Sequence, residues 1–177
     1  YASPMVRDKD PEQLAKRYID LKKQGFTAAK IFVNGNDKSL KEGHDEYFSG
    51  RIEMELEKVK ICREAVGYDF DFILEAHRGM TLPEAVAFGR AVEPYRPMVL
   101  EDPVTPDNYT MAEVASKIGV PIATGERFTS LREFEVLMSR HAAQYVRPDV
   151  CAIGGITTAK KVAAIAEAHD VLVIPHN

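Results

Sequence analysis

FILEAHR (residues 72–78), MVLEDP (98–103) and IATGERF (122–128) are the most informative stretches for the fold, because each contains a short apolar run that leads to a glutamate. The three glutamates are Glu75, Glu101 and Glu126. They lie 26 and 25 residues apart, which leaves room for one helix between successive strands. Short apolar strands that alternate with helices are typical of a parallel sheet covered on both faces. The spacing therefore predicts repeated strand–helix units with right-handed crossovers.

The same alternation extends in both directions along the chain. Periodic apolar positions predict helices at residues 11–23, 52–66, 82–92, 109–118, 131–138 and 157–168. Short apolar runs predict six strands, at residues 26–33, 70–74, 98–100, 121–123, 143–146 and 171–174, with a possible seventh at Tyr1 and Ala2. Residues 34–50 are polar and contain three glycines, so we expect a long loop with a functional role.

The number of strands leaves two architectures open. A complete eight-stranded barrel needs about 250 residues, and this chain has 177. It forms either an open doubly wound sheet or an incomplete barrel. Polar residues at the other strands favour the barrel: Lys30 lies in the first, and Asp149 and His176 follow the last two. A barrel brings all strand ends to one mouth, whereas a doubly wound sheet spreads them along an edge. We predict an α/β fold, a parallel (β/α) TIM-type barrel that is incomplete, with about seven of eight strands.

Three carboxylates at one mouth predict a metal site. Glu75, Glu101 and Glu126 would repel one another without a cation, and carboxylate oxygens suit Mg²⁺, with Mn²⁺ as a possible substitute. Any one of these glutamates could instead be a helix cap or a salt-bridged loop residue, but three in register favour the metal.

Two histidines are candidates for proton transfer at the same mouth. His77 follows Glu75 by two residues, so in an extended segment both side chains would point to one face. His176 and Asp149 follow neighbouring strands, and a carboxylate beside an imidazole fixes its tautomer and raises its basicity. The competing interpretation of each histidine is a structural hydrogen-bonding residue.

Composition excludes several classes of function. With 45% apolar and 28% charged residues and a net charge of −4, the chain has an ordinary globular composition and no excess of basic residues for nucleic acid. It contains no apolar run long enough to span a membrane and no secretory signal at its first residues. Cys62 and Cys151 form no disulfide framework, so we expect a reducing cytoplasm and small buried side chains.

The motifs LEAHR, LEDP, TGER, RPDVCAIGGIT and IPHN, in this order, resemble the enolase superfamily. The resemblance is to the mandelate racemase subgroup, in particular the barrel domain of its acid-sugar (galactonate/gluconate-type) dehydratases, and it covers essentially the whole chain. It implies that Glu75, Glu101 and Glu126 bind Mg²⁺. It also implies that His176, oriented by Asp149, removes the proton α to the substrate carboxylate.

The resemblance further implies that His77 is the general acid that helps the β-hydroxyl leave as water, which gives a 2-keto-3-deoxy sugar acid. We expect Lys30 and Arg78 to bind the substrate. Glu75 stands where the related dehydratases usually have aspartate. Lys30-Ile31-Phe32 replaces the Lys-x-Lys of the racemases, which disfavours a two-base racemase and favours elimination.

The leading hypothesis is therefore a Mg²⁺-dependent dehydratase of a sugar acid. The alternatives are a racemase or epimerase of a 2-hydroxy acid on the same metal site, and a catalytically silent barrel, which would favour neutral residues at one or more site positions. We expect residues 1–177 to be one partial barrel domain, with the N-terminal capping domain and the last barrel strand of the family outside it. We also expect a cytoplasmic homo-oligomer whose partner is a small-molecule sugar acid, with no nucleic-acid or membrane partner.

Overall fold

The computed structural model describes residues 1–3, 10–33 and 47–176. Its helices are α1 (Pro11–Lys23), α2 (Phe48–Val66), α3 (Leu82–Val92), α4 (Asn108–Lys117), α5 (Leu131–Ser139) and α6 (Ile156–Ala168), with a 3₁₀ turn at Glu93–Tyr95. Its strands are β1 (Ala28–Phe32), β2 (Asp71–Glu75), β3 (Val99–Glu101), β4 (Ile122–Thr124), β5 (Tyr145–Val146) and β6 (Leu172–Val173). The six predicted helices and the six main predicted strands are all present, in the predicted order.

The strands form one parallel sheet in the order β1-β2-β3-β4-β5-β6. Glu101 on β3 contacts both Lys30 on β1 and Arg147 just after β5. Contacts that reach two strands away on each side indicate that the sheet is curved. The predicted α/β fold of parallel strand–helix units is therefore confirmed. The possible seventh strand is reduced to an isolated parallel bridge between Ala2 and Ala29.

Alternation along the strands sorts side chains between two layers. Phe72, Leu74 and Leu100 belong to the large core between the sheet and the helices. Ile73 and Val99 point to the opposite face and form a small inner cluster with Ala123. Because side chains alternate between faces, Glu75 and Glu101, two residues after Ile73 and Val99, share this inner face. The fold thus directs both carboxylates away from the helices.

Several predicted boundaries were wrong by a few residues. Helix α2 begins at Phe48, so residues 48–50 are helical and not part of the predicted loop. Residues 34–46 of that loop lie outside the described part of the chain. Strands β5 and β6 have two residues each, half of what the apolar runs predicted. Beyond both strands, Asp149 and His176 pair again as an isolated parallel bridge. Among the described residues no helix is long and apolar enough to cross a membrane.

The two cysteines have different surroundings. Cys62 is fully buried on α2, as predicted, and burial raises the pKa of its thiol to about 12. Cys151 is exposed, so the prediction of a buried side chain was wrong there. Cys151 lies in the turn after β5. Its neighbours Val150 and Ile153 are apolar, so the sequence around Cys151 does not indicate an exposed turn.

Candidate metal centre and active site

Strand register brings the first two glutamates together. Glu75 and Glu101 are the last residues of β2 and β3, and they are paired directly across the ladder. Both side chains are buried on the inner face. Adjacent like charges in a buried place are unfavourable without a compensating cation. The parallel register therefore creates the need for positive charge at this point.

The third glutamate reaches the same place through a turn that requires glycine. Gly125 has φ +122°, and a Cβ there would lie 2.6 Å from a ring carbon of Phe134 on α5. This turn directly follows β4, and Glu126 lies beside Glu75 and Glu101. One carboxylate oxygen from each residue lies within 4.8 Å of the others. We call Glu75, Glu101 and Glu126 the carboxylate cluster, and their predicted convergence is confirmed.

Two buried cations compensate the cluster. Lys30 Nζ lies 2.7 Å from Glu75 Oε2 and 2.8 Å from Glu101 Oε1. Arg147 Nε lies 2.7 Å from the same Oε1 atom of Glu101. Burial opposes the charged form of Lys30, but the two carboxylates outweigh it and raise its pKa. Lys30 thus contacts the cluster directly, and its predicted contact with substrate stays a prediction.

The residues after Glu75 turn sharply instead of continuing the strand. His77 and Arg78 have φ values of +48° and +64°, so the extended geometry that we predicted for His77 was wrong. The turn arises because the backbone N–H of His77 donates to Glu75 Oε1 at 2.9 Å and that of Gly79 donates to Ala76 O at 2.9 Å. His77 is exposed at the rim, near the cluster but not on the face of Glu75.

Arg78 joins the rim to the cluster. Its Nη1 atom lies 2.6 Å from Glu126 Oε1 and 3.1 Å from Asp102 Oδ2. Its Nη2 atom lies 2.9 Å from His77 Nε2. Both terminal nitrogens of Arg78, Nη1 and Nη2, contact protein groups in this structure. Its predicted role in substrate binding stays a prediction. Despite burial, the pKa of Glu126 is lowered, chiefly by the hydrogen bond from Arg78 and by His176.

The predicted histidine–aspartate pair is present. Asp149 and His176 form a parallel bridge beyond β5 and β6, which places His176 Nδ1 3.0 Å from Asp149 Oδ2. This hydrogen bond is the main reason why the pKa of Asp149 is lowered. On the other side of the ring, His176 Nε2 lies 3.1 Å from Glu126 Oε2. The carboxylate cluster and the candidate base are therefore in direct contact.

The cluster fits a divalent cation. Burial, together with the charge of Glu75, raises the pKa of Glu101 to about 8 even though Lys30 and Arg147 oppose the shift. Glu101 Oε2 is buried and has no hydrogen-bond partner among the described residues. Three carboxylates that supply only oxygen, one of them with an unpartnered buried atom, form the donor set that hard divalent cations prefer.

Sequence reasoning missed two buried polar residues at the site. Asp102 accepts hydrogen bonds from Thr124 at 2.5 Å and from Arg78, and burial raises its pKa. Arg147, just after β5, contacts Glu101 on β3 through its Nε atom. Both missed residues had the signal that revealed the glutamates, a charge directly after a buried strand. Each of these strand ends carries a second charged residue, Glu101 before Asp102 and Asp149 after Arg147, and the sequence does not show that both enter the site.

Comparisons with known proteins agree with this geometry. A family model described as enolase C-terminal domain-like matches residues 12–177. D-galactonate dehydratase from Ralstonia nicotianae is 36% identical over 126 residues, which cover 71% of this chain and 33% of that relative. A member of the enolase superfamily from Salmonella Typhimurium has a TM-score of 0.91 at 27% identity, covering 100% of this chain and 49% of that one.

A racemase from Streptomyces coelicolor A3(2), solved with bound magnesium, has a TM-score of 0.86 at 27% identity. The comparison covers 100% of this chain and 46% of the racemase. The chain thus spans about one third of the length of the curated relatives and about half of these solved structures. The resemblance to the enolase superfamily and its acid-sugar dehydratases is confirmed. The chain belongs to the enolase C-terminal domain-like family, as part of its parallel barrel domain.

Proposed function

We propose that the full-length protein is a Mg²⁺-dependent dehydratase of a sugar acid. The observation that carries the proposal is the contact between the carboxylate cluster and the His176–Asp149 pair, which puts a candidate cation site beside a candidate base. The relatives named D-galactonate dehydratase support a lyase of this class. A divalent cation, Mg²⁺ or Mn²⁺ in its place, would stabilise the negative charge that develops on the substrate carboxylate.

Proton abstraction is assigned to His176. Nδ1–H donates to Asp149, which leaves Nε2, the nitrogen that faces the cluster, for proton transfer. In the structure Nε2 lies 3.1 Å from Glu126 Oε2, and an ionised carboxylate only accepts, so Nε2 must lose its proton and leave this contact before it acts as the base. Nε2 takes the proton from the carbon next to the substrate carboxylate. The electron pair of that C–H bond first moves toward the substrate carboxylate, which gives an enediolate. In a second step it forms the C=C bond as the β-hydroxyl leaves.

Departure of the hydroxyl is assigned to His77. It donates a proton to the leaving oxygen, so that water is released and the enol product tautomerises to a 2-keto-3-deoxy acid. In the structure His77 Nε2 faces Arg78 Nη2, and a guanidinium can only donate. Nε2 therefore accepts from Arg78 in this arrangement. The acid role requires the His77 ring to leave this contact, to take up a proton and to direct that N–H toward the substrate.

The test is His77→Asn in the full-length protein, assayed against acid sugars with Mg²⁺ in D₂O. Asparagine tolerates the left-handed backbone at this position. Loss of a positioned acid typically costs about 10²–10⁴ in rate. We expect keto-acid formation to fall by that factor, while the α-proton still exchanges through His176. His141→Asn is the matched control, since His141 is exposed, also has a positive φ and lies after α5.

Two outcomes would contradict the proposal. If the wild type interconverts epimers and releases no keto-acid, the site is that of a racemase or epimerase, as in the magnesium-bound relative. If it neither exchanges the α-proton nor releases keto-acid with any acid sugar, the barrel is catalytically silent toward this class. A cytoplasmic location and assembly into a homo-oligomer stay predictions.

A further inference from the structure

Arg147 is a fully buried cation beside the carboxylate cluster, with no role in the proton transfers above. It follows β5 on the inner side of the sheet, and only 2% of its surface is exposed. Its Nε atom forms an ion pair with Glu101 Oε1 at 2.7 Å, although the N–H is not aligned for a hydrogen bond. Its Nη2 atom donates to the hydroxyl of Tyr1 at 3.2 Å. A guanidinium keeps its charge in proteins, so Glu101 always has a cation on this side.

The two oxygens of Glu101 have different surroundings. Oε1 is held between Lys30 Nζ at 2.8 Å and Arg147 Nε at 2.7 Å. Oε2 is buried and has no hydrogen-bond partner within the described ranges. Buried carboxylate oxygens are rarely left without a partner. In this arrangement Oε2 of Glu101 is therefore available to an additional ligand, whereas Oε1 is already occupied by Lys30 and Arg147.

We propose that Arg147 is a positioning residue that, together with Lys30, holds Oε1 of Glu101 so that Oε2 is the atom offered to the divalent cation. The Tyr1 hydroxyl steadies the far end of the guanidinium. This inference rests on the metal site proposed above and adds to it how Glu101 binds, through a single oxygen. Groups that orient metal ligands in this way typically change metal affinity by about 10- to 100-fold when they are removed.

Charge alone predicts the opposite effect. A buried positive charge near a cation site opposes cation binding through Coulomb repulsion. If Arg147 acted only as a counter-ion, its removal would strengthen metal binding or leave it unchanged. If it orients Glu101, its removal weakens metal binding in spite of the lost repulsion. The sign of the change in metal affinity therefore separates the two roles.

The experiment measures Mn²⁺ and Mg²⁺ affinity of the full-length protein by calorimetry, for wild type and Arg147→Met. We expect binding about 10- to 100-fold weaker in the variant. The matched control is Arg63→Met. Arg63 is equally buried, but its hydrogen bonds go to the backbone carbonyls of Gly67, Phe70, Tyr95 and Arg96. This control should lower the melting temperature and leave metal affinity unchanged.

Tyr1→Phe provides a second variant for the case in which Arg147→Met does not fold. Tyr1 is half exposed, so the substitution removes one acceptor of the guanidinium without opening the core. We expect weaker metal binding, by a smaller factor than in Arg147→Met. Unchanged or tighter binding in whichever of the two variants folds would overturn the inference. A wild type that binds neither cation would overturn the proposed metal site itself, which is a separate result.

Discussion

At the scale of the residue, His176 has the most specific environment. Asp149 contacts one ring nitrogen and Glu126 the other, so the ring is held between an orienting carboxylate and a member of the carboxylate cluster. The sequence indicated the Asp149 contact, since the two residues follow neighbouring strands. It did not indicate the Glu126 contact, which depends on the turn at Gly125.

We predict that His176→Asn abolishes α-proton exchange and leaves Mg²⁺ affinity little changed. The imidazole is proposed as the base and not as a metal ligand, so only proton transfer should suffer, by about 10²–10⁴. NMR in D₂O measures the exchange, and calorimetry measures the affinity. Asp149→Asn should cost less, because it misorients the ring without removing it. Unimpaired exchange in His176→Asn would exclude this residue as the base.

Glu101 gives a prediction for pH. Its pKa of about 8 in the metal-free protein means that below this pH it holds a proton which a cation must displace. Mg²⁺ affinity should therefore fall as the pH is lowered from 8, by up to about tenfold per pH unit for one displaced proton. Titration calorimetry in two buffers of different ionisation enthalpy should show proton release below pH 8. Binding that is independent of pH between 6 and 9 would contradict the prediction.

At the scale of the element, the helices agree with local sequence signals. Helices α1 and α3 have the predicted bounds, because their caps and periodic apolar positions lie within the segments themselves. Strand lengths agree less well. Pairing with neighbouring strands and the turns that follow decide where a strand ends, and neither is visible in a short apolar run.

The cap of α5 gives a stability prediction. Glu133 Oε2 accepts from the backbone N–H groups of Thr129 and Ser130 and from the Ser130 hydroxyl, at 2.8–2.9 Å. These bonds outweigh partial burial and lower its pKa below the ordinary value of 4.5. Because the folded pKa is lowered, the stabilisation is present above pH 4.5 and is lost as the pH falls through the lower folded value.

Glu133→Ala should accordingly lower the free energy of unfolding by about 0.5–2 kcal/mol at pH 7. The difference from wild type should shrink at pH 3. Urea denaturation at the two pH values measures both effects. Glu135→Ala is the control, since Glu135 is exposed on the same helix. A deficit of the same size at both pH values would show that the ionised carboxylate is not the capping group.

At the scale of the whole molecule, the carboxylate cluster joins three strand–helix units. Glu75, Glu101 and Glu126 follow β2, β3 and β4, so a bound cation would connect segments that lie about fifty residues apart in the chain. A ligand that binds only the folded state stabilises it by mass action. The metal should therefore act on the stability of the entire barrel and not only on the site.

We predict that Mg²⁺ at a hundredfold excess over its Kd stabilises the full-length protein by about 2.7 kcal/mol. Differential scanning calorimetry should show a higher melting temperature with Mg²⁺, and a chelator should reverse the change. Glu101→Gln should abolish the shift, because the neutral amide removes a ligand charge. An equal shift in Glu101→Gln would mean that Mg²⁺ acts at another place on the protein.

Patterns in the sequence were sufficient to predict the order of helices and strands, the parallel sheet, and the convergence of Glu75, Glu101 and Glu126. The helices and strands follow from the periodicity of apolar residues within each segment. The convergence follows from the nearly constant spacing of the glutamates along the chain. The Asp149–His176 pair could also be predicted from the sequence, because neighbouring parallel strands end side by side.

The pairing of cations with carboxylates, in contrast, depends on how distant segments of the chain pack together. Lys30 and Arg147 meet on one oxygen of Glu101 because the curved sheet brings β1 and the end of β5 to the same point. The position of His77 was decided by backbone hydrogen bonds in a left-handed turn, not by strand alternation. Such contacts depend on sheet curvature and on hydrogen bonds to distant segments, and neither leaves a periodic signal in the sequence.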